Sequence, residues 1–419
     1  MSLLATPSGL RLQIGVFGRR NVGKSSTLNA LTRQGTSIVS ATPGTTTDPV
    51  SKAMELSPLG PVLLIDTAGL DDVGELGASR VDRTRAVLRR VDVAVIVVDA
   101  TRDDWLSEHE SALLDECSSR AVPCLVVVNK SDVAESSSIA QIETTLASRG
   151  IASVVFSAAR SQTLGAGAPE LRAALTQLAP ESFLAPPPLV SDLVAPGDFV
   201  VLVTPIDKEA PKGRLILPQV QAIRDLLDGG CGCVVVQEPN LRAALSRLSP
   251  APKLVVTDSQ AFRSVASLVP ESISLTSFSI LFARQKGDFR TFYAGALALA
   301  GLTGASRVLI AESCAHHPIE EDIGTVKIPR MLRARFGETL RVDHVQGCDF
   351  PSRDDLRGFD LIIHCGACMT NRREVLSRQA QATSAGVPIT NYGMTIAFLT
   401  GVLSRAVQPL GVDVRESQK

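Results

Sequence analysis

Two short stretches carry soft metal donors at the ends of apolar runs. Arg307-Val-Leu-Ile-Ala leads into Cys314-Ala315-His316, and Phe359-Asp-Leu-Ile-Ile leads into His364-Cys365-Gly366-Ala367-Cys368. Apolar runs of this length, closed by glycine or polar residues, read as buried strands. Both stretches therefore deliver thiols and imidazoles to strand ends. Two residues between Cys365 and Cys368 let both sulfurs turn toward one ion or cluster, although that spacing alone equally suits a redox pair or half a zinc site. The C-x-H upstream sharpens it: Cys314, Cys365 and Cys368 form a set of three thiolates, with His316 and His364 as nitrogen candidates. Three thiolates and one nitrogen suit tetrahedral zinc. They also suit a 4Fe-4S cluster whose fourth iron is held by histidine or left exchangeable. His317 reads as a loop histidine and Cys348 as a plain buried thiol. Cys231 and Cys233 have no histidine near and read as core or surface thiols.

A second constellation lies near the N-terminus. Gly18-Arg-Arg-Asn-Val-Gly23-Lys24-Ser25 matches G-x-x-x-x-G-K-[ST] in full. It follows the strand Leu12 to Phe17 and opens a helix that continues from Ser26. Glycines let the backbone wrap a phosphate while its N–H groups point inward at a helix start. Lys24 reaches the outer phosphates and Ser25 ligates magnesium. Four pieces follow in order. Pro43-Gly-Thr-Thr46-Thr-Asp is a threonine-rich loop where a switch should lie. Val62-Leu-Leu-Ile-Asp66-Thr-Ala-Gly69 ends a strand in D-x-x-G, with Asp66 on magnesium through water and the Gly69 N–H sensing the third phosphate. Leu125-Val-Val-Val-Asn129-Lys130-Ser131-Asp132 ends a strand in N-K-x-D, whose Asp132 carboxylate accepts the paired N–H groups that guanine has and adenine lacks. Val154-Val-Phe-Ser157-Ala158 closes over the base.

The elements that must position these groups are legible in outline. The chain has 419 residues, enough for two or three domains. A net charge of −1 and 4% aromatic residues speak against a constitutive nucleic-acid binder. Eight cysteines in a chain without a secretory leader read as reduced thiols, and the cytoplasm is the expected compartment. The uncharged tract from Gln379 to Ser404 is broken by Pro388 and several polar residues, so no membrane span is expected. Ala185-Pro-Pro-Pro188 breaks both helix and strand and marks a domain boundary. Beyond it, strands from Asp198, Cys233 and Lys253 alternate with helices opened by Pro218 and Asn240. This predicts a small α/β unit with a largely parallel sheet. The first of these helices is expected to bury Val220, Ile223, Leu226 and Leu227. Ile273 to Phe282 reads as one strand, Phe289 to Leu302 as a helix, and Arg372 to Ala385 as a helix. The expected architecture is α/β in three domains: 1–180, 189–270 and 271–419.

Residues 11–180 resemble a Ras-like P-loop GTPase of the TrmE/Era-like branch, which includes tRNA-modification and ribosome-assembly GTPases. By that resemblance Thr46 is the magnesium-ligating switch threonine, and Gly18, Asn21, Gly23, Lys24, Ser25, Ser26, Asn129, Lys130, Asp132, Ser157 and Ala158 hold the nucleotide. Leu70 stands where Ras-type enzymes place a water-orienting glutamine, which implies slow intrinsic hydrolysis. Asn21 matches an asparagine that in potassium-activated relatives helps hold a monovalent cation, which could supply the charge an arginine finger supplies elsewhere. The radical-SAM spacing C-x-x-x-C-x-x-C is absent.

The whole pattern is narrower. A GTPase domain followed by C-x-H and then H-C-x-x-C resembles the FeFe-hydrogenase maturation GTPases of the HydF family. The stretch Thr204-Pro-Ile-Asp-Lys-Glu-Ala-Pro-Lys-Gly-Arg-Leu-Ile-Leu-Pro-Gln resembles that family's middle domain. The resemblance implies a GTPase domain, a dimerisation domain and a domain that binds a 4Fe-4S cluster through Cys314, Cys365 and Cys368, with His316 and His364 at the family's histidine positions. It implies a homodimer that receives a di-iron subcluster precursor made with radical-SAM maturases and delivers it to apo FeFe-hydrogenase. GTP, Mg2+, K+ and the cluster are the implied cofactors. The competing reading is an RNA-handling GTPase with a structural Cys3His zinc domain, which the near-neutral charge and scarce aromatics disfavour.

Overall fold

The computed structural model describes residues 6–32, 40–41, 50–67, 69–70, 84–164, 168–205, 215–313, 322–347 and 350–411. The chain divides into two compact units, Met1–Pro186 and Pro187–Lys419, with the division inside the proline run.

In the first unit, β1 (Leu12–Phe17), β2 (Ser40–Ala41), β3 (Val50–Leu56), β4 (Gly60–Asp66), β5 (Val93–Asp99), β6 (Cys124–Asn129) and β7 (Ala152–Val155) form one sheet. The order is β2-β3-β4-β1-β5-β6-β7. The β4, β1, β5, β6 and β7 strands run parallel, and β3 turns antiparallel onto β4. Apolar residues occupy both faces, as a parallel sheet covered on both sides requires. In β5, Val93, Val95 and Val97 face one core with Leu31, Leu171 and Leu175 of the helices Lys24–Thr32 and Pro169–Leu178. Ala94, Ile96 and Val98 face the other, with Leu113 and Leu146 of the helices Glu108–Ser119 and Ser136–Ser148. The motif loops leave the C-terminal ends of β1, β4, β6 and β7. That edge is where an open α/β sheet binds its ligand.

The second unit holds two wholly parallel four-stranded sheets. The first contains β8 (Phe199–Val203), β9 (Gly232–Val236), β10 (Leu254–Thr257) and β11 (Ser274–Ser277), in the order β11-β10-β8-β9. The second contains β12 (Arg307–Ala311), β13 (Arg341–Val345), β14 (Leu361–His364) and β15 (Ile389–Asn391), in the order β13-β12-β14-β15. Val201 and Val255 of the one share a continuous apolar core with Val308, Ile310 and Ile363 of the other.

Two sequence expectations change. The run from Ile273 is not one strand: it splits at Ser277, whose hydroxyl accepts from Ile280 N and starts the helix Phe278–Lys286. A serine that satisfies an orphan amide ends the strand that apolar content alone would continue. The helix Leu217–Asp228 buries Gln219, Ala222 and Leu226, whereas Val220 and Leu227 are 47% and 59% exposed. Of the four residues expected in the core, Leu226 and, in part, Ile223 pack there, and Val220 and Leu227 do not.

Candidate functional site

The phosphate loop is shaped by backbone angles that side chains resist. Gly18 and Gly23 have φ of 142° and 99°. A Cβ on Gly23 would lie 2.2 Å from the Asn129 amide nitrogen, and one on Gly18 2.4 Å from the Val97 carbonyl oxygen. Asn21 adopts left-handed φ (61°), which asparagine tolerates better than most residues, and it is exposed on the loop. The Lys24 ammonium donates to the carbonyls of Gly18 and Arg19, both at 2.8 Å. Ser25 Oγ donates to Asp66 Oδ2 at 2.9 Å, so the two predicted magnesium-binding groups meet. Asp66 Oδ1 is buried and has no hydrogen-bond partner among the described residues. Burial pushes this carboxyl above its ordinary value, against the Ser25 hydrogen bond and the Lys24 charge. A carboxylate oxygen left orphaned beside a serine hydroxyl and a lysine fits a hydrated Mg2+. Ser26 lies in the first turn of the helix below, Leu70 N donates to Gly18 O at 3.3 Å, and Leu70 itself is buried. Thr46 lies outside the described residues.

Asn129 joins phosphate loop to base loop. Its Nδ2 donates to Val22 O at 2.8 Å and its Oδ1 accepts from Ala158 N at 3.0 Å. Lys130 reaches Asp99 Oδ2 at 2.5 Å. Burial pushes Asp99 up, but hydrogen bonds from Lys130 and Thr101 outweigh it and hold the carboxyl below its usual value. Ser157 Oγ donates to Asp132 Oδ1 at 2.6 Å, and this bond holds Asp132 low, in the ionised form that a guanine edge requires. One structural tie had no sequence signal beyond its place in the loop. Arg19 turns away from the phosphate side and is buried against Glu110 (2.8 Å) and Asp104 (2.7 Å).

The cysteine site forms where β12 and β14 end side by side. Register pairs Ala311 with His364, which puts Glu312 opposite Cys365 and Ser313 one residue further on. Cys365 Sγ accepts from Ser313 N at 3.3 Å and from Ala367 N at 3.4 Å. Cys314, the next residue after Ser313, and His316 lie outside the described residues, as do His317 and Cys348. Among the described residues no group of three His, Cys, Asp or Glu forms a metal cluster. Cys368 is mostly buried; burial and the neighbouring Cys365 push its thiol up while Lys286 opposes them. Cys365 and Cys368, with amide donors on one sulfur and Cys314 one bond beyond Ser313, fit a thiolate-bound iron–sulfur cluster.

His364 is fully buried. Its Nδ1 lies 2.9 Å from Cys365 O, so that nitrogen carries the proton, and Nε2 faces Ser313 Oγ at 3.2 Å and Arg378 Nη1 at 3.4 Å. Burial first, then the Arg378 charge, lowers its pKa to about 4, so the ring is neutral. Both nitrogens are engaged within the protein in this arrangement. Arg378 in turn holds Glu374 Oε1 and Gly347 O. Beneath the loop, the Lys286 ammonium donates to the carbonyls of Ala367 (2.8 Å), Cys368 (3.1 Å) and Thr370 (2.7 Å). Burial lowers its pKa to about 8, with the two thiols acting the other way. Neither Lys286 nor Arg378 was identifiable from sequence, because a charge buried by tertiary packing leaves no periodic trace.

A phosphate loop, D-x-x-G and N-K-S-D on one edge of a seven-stranded sheet make the first unit a P-loop GTPase domain, and a family model for 50S ribosome-binding GTPases matches residues 13–130. The rest of the chain is more specific. The hydrogen maturase F dimerization-domain model matches residues 189–287 and the tetramerization-domain model residues 290–409. The chain belongs to the hydrogen maturase F family. Curated relatives match the first unit. They include the tRNA modification GTPase MnmE of Heliobacterium modesticaldum, 40% identical over 28% of this chain and 25% of that one. Another is the GTPase Der of Wolinella succinogenes, 40% identical over 30% of this chain and 27% of that one. The chain thus spans about a quarter of the length of these relatives. Among solved structures, the G domain of the T. maritima FeoB iron transporter is similar at 21% identity and a TM-score of 0.31, over 41% of this chain and 99% of that one.

Proposed function

We propose that this protein is a GTP-hydrolysing scaffold that holds a 4Fe-4S cluster and assembles and delivers the di-iron subcluster to apo FeFe-hydrogenase. The observation that carries it is the Ser313 amide 3.3 Å from Cys365 Sγ, which brings the C-x-H and H-C-x-x-C strand ends together. Cys314, Cys365 and Cys368 are the ligands. His316 is the nitrogen candidate for the fourth position. His364, with both nitrogens bonded, orients the loop. When bound, the cluster supplies one iron with an exchangeable position that a bridging group of the cargo can take. Domain boundaries follow the roles: GTPase over 1–180, dimerisation over 189–270, cluster binding over 271–419.

In the GTPase domain Lys24 neutralises the outer phosphates, Ser25, Thr46 and Asp66 hold Mg2+, and the Gly69 N–H reports the third phosphate. Leu70 offers no group to orient water, so turnover is slow, and a K+ at Asn21 stimulates it. GTP orders the switch loops and biases docking of partners. The assembly is a homodimer or a tetramer built from dimers. Phe199, Val220, Leu227 and Val235, all 40% exposed or more within residues 189–287, supply apolar surface for it. Radical-SAM maturases and apo-hydrogenase are the partners, in the cytoplasm. No helix among the described residues is long and apolar enough to cross a membrane. The RNA-handling alternative would use the same cysteines for structural zinc, and the family models over residues 189–287 and 290–409 give it no support.

The test is activation of apo-hydrogenase with the radical-SAM maturases present. Cys365→Ala abolishes activation and leaves GTP turnover largely intact, whereas Lys24→Ala abolishes turnover and leaves iron content intact. Full activation by Cys365→Ala overturns the reading.

A further inference from the structure

The cysteine loop contains its own strained point. Ala367, between the two cysteines, has φ of 54°, a left-handed conformation that is strained for a non-glycine residue. Such a conformation persists only where its surroundings over-determine it. Here the surroundings include the core that buries Ala367, the bond from Thr370 N to Ala367 O at 3.2 Å, and one charged side chain. Lys286 directs its ammonium at three carbonyls of the loop, those of Ala367, Cys368 and Thr370, and is itself only 4% exposed. With the carbonyls drawn down onto Lys286, the Ala367 amide is left to donate to Cys365 Sγ. The ammonium also lies 5.2 Å from the Phe282 ring centroid, and its hydrogen-bond partners among the described residues are carbonyls. A buried cation normally has an anion close by. The groups that would supply negative charge here are the thiolates above.

Lys286 comes from a different part of the chain than the loop it holds. It is the last residue of the helix Phe278–Lys286, within the stretch matched by the dimerization-domain model, while the loop lies in the stretch matched by the tetramerization-domain model. The tie is two-way: Arg372, just past the loop, donates back to the carbonyls of Gln285 and Gly287.

We propose that Lys286 is a positioning residue for the cluster, fixing the backbone of the Cys365–Cys368 loop and placing one compensating positive charge beneath the bound thiolates. This rests on the 4Fe-4S reading above. A fixed cation stabilises the more negative, reduced cluster and so raises its reduction potential, one of the levers by which a protein tunes iron–sulfur centres. The stretch matched by the dimerization-domain model thereby contributes a group to the cluster site.

The experiment uses the full chain, reconstituted anaerobically, as wild type, Lys286→Gln and Lys286→Arg. Gln keeps a donor for the carbonyls without the charge; Arg keeps the charge. Iron content and the midpoint potential, from a redox titration followed by electron paramagnetic resonance, are read for each. Lys286→Gln is expected to shift the potential to more negative values, or to lose iron that Lys286→Arg retains, with Lys286→Arg close to wild type. A wild-type potential in Lys286→Gln overturns the proposal, as does equal displacement or equal iron loss in both variants. Wild-type protein that takes up no iron fails at the earlier step and overturns the cluster reading together with this one.

Discussion

Replacing Asn129 by alanine removes a side chain that bonds the phosphate loop to the base loop. Two bonds go together, from Nδ2 to Val22 O at 2.8 Å and from Ala158 N to Oδ1 at 3.0 Å. Asn129 is 2% exposed, so water does not simply take its place. A buried donor or acceptor left unsatisfied costs about 1–3 kcal/mol. With two such groups, part of the cost falling on the free protein, the nucleotide complex should lose about 2–4 kcal/mol. That corresponds to a roughly 30- to 1000-fold weaker Kd. The assay is anisotropy titration of a fluorescent guanosine diphosphate, with thermal unfolding of nucleotide-free protein read alongside to separate the two shares. Asn129→Asp should fall between wild type and alanine: it still accepts from Ala158 N but sets a carboxylate against the Val22 carbonyl. A change in Kd of less than about 3-fold in Asn129→Ala would mean that the two loops hold their shape independently, because it is under 1 kcal/mol, and the reasoning would fail.

Other outcomes follow from the same geometry. Asp132→Asn replaces an acceptor-only group by an amide, so GTP affinity should drop by at least about 100-fold, as sites built to hydrogen-bond a polar edge discriminate strongly; competition among nucleoside triphosphates reads this. Ser157→Ala removes the bond that holds Asp132 below its ordinary value, so the carboxylate takes up its proton at higher pH and the acid limb of GTP binding moves upward; unchanged limbs would show that Ser157 has no such role. Exchange of potassium for sodium should slow GTP turnover in wild type and much less in Asn21→Ala, and equal rates in both salts discard the cation at Asn21.

How much of this was legible in the chain differs from site to site. The strands and loops that carry the nucleotide motifs were legible, because phosphate and guanine recognition use backbone amides and a few fixed side chains directly after strands, and those strands are short apolar runs; Thr46 lies outside the described residues. The two cysteine stretches were legible as donors, and the parallel pairing of β12 with β14 brings their strand ends together. What supports them was not. Lys286 follows an apolar run read as strand and drew no reading of its own; Arg378 sits in a polar-looking helix, Arg372–Ala385, yet is 2% exposed. The strand and helix on either side of Ser277 merged into one apolar run because hydrophobicity hid the cap. In the helix Leu217–Asp228 the exposed Val220 and Leu227 read as core, since exposed apolar residues at helical spacing look like a core in sequence. Polar alternation in Arg341–Val345 gave no reading of the edge strand β13.

The central claim is that three cysteines on two adjacent strand ends hold an iron–sulfur cluster. Anaerobic purification, followed by iron and sulfide analysis and electron paramagnetic resonance of the reduced protein, addresses it directly. The account predicts about four irons per chain with a reduced 4Fe-4S signal, both lost in Cys365→Ala. Colourless protein carrying one zinc per chain, or iron that persists in Cys365→Ala, would contradict it.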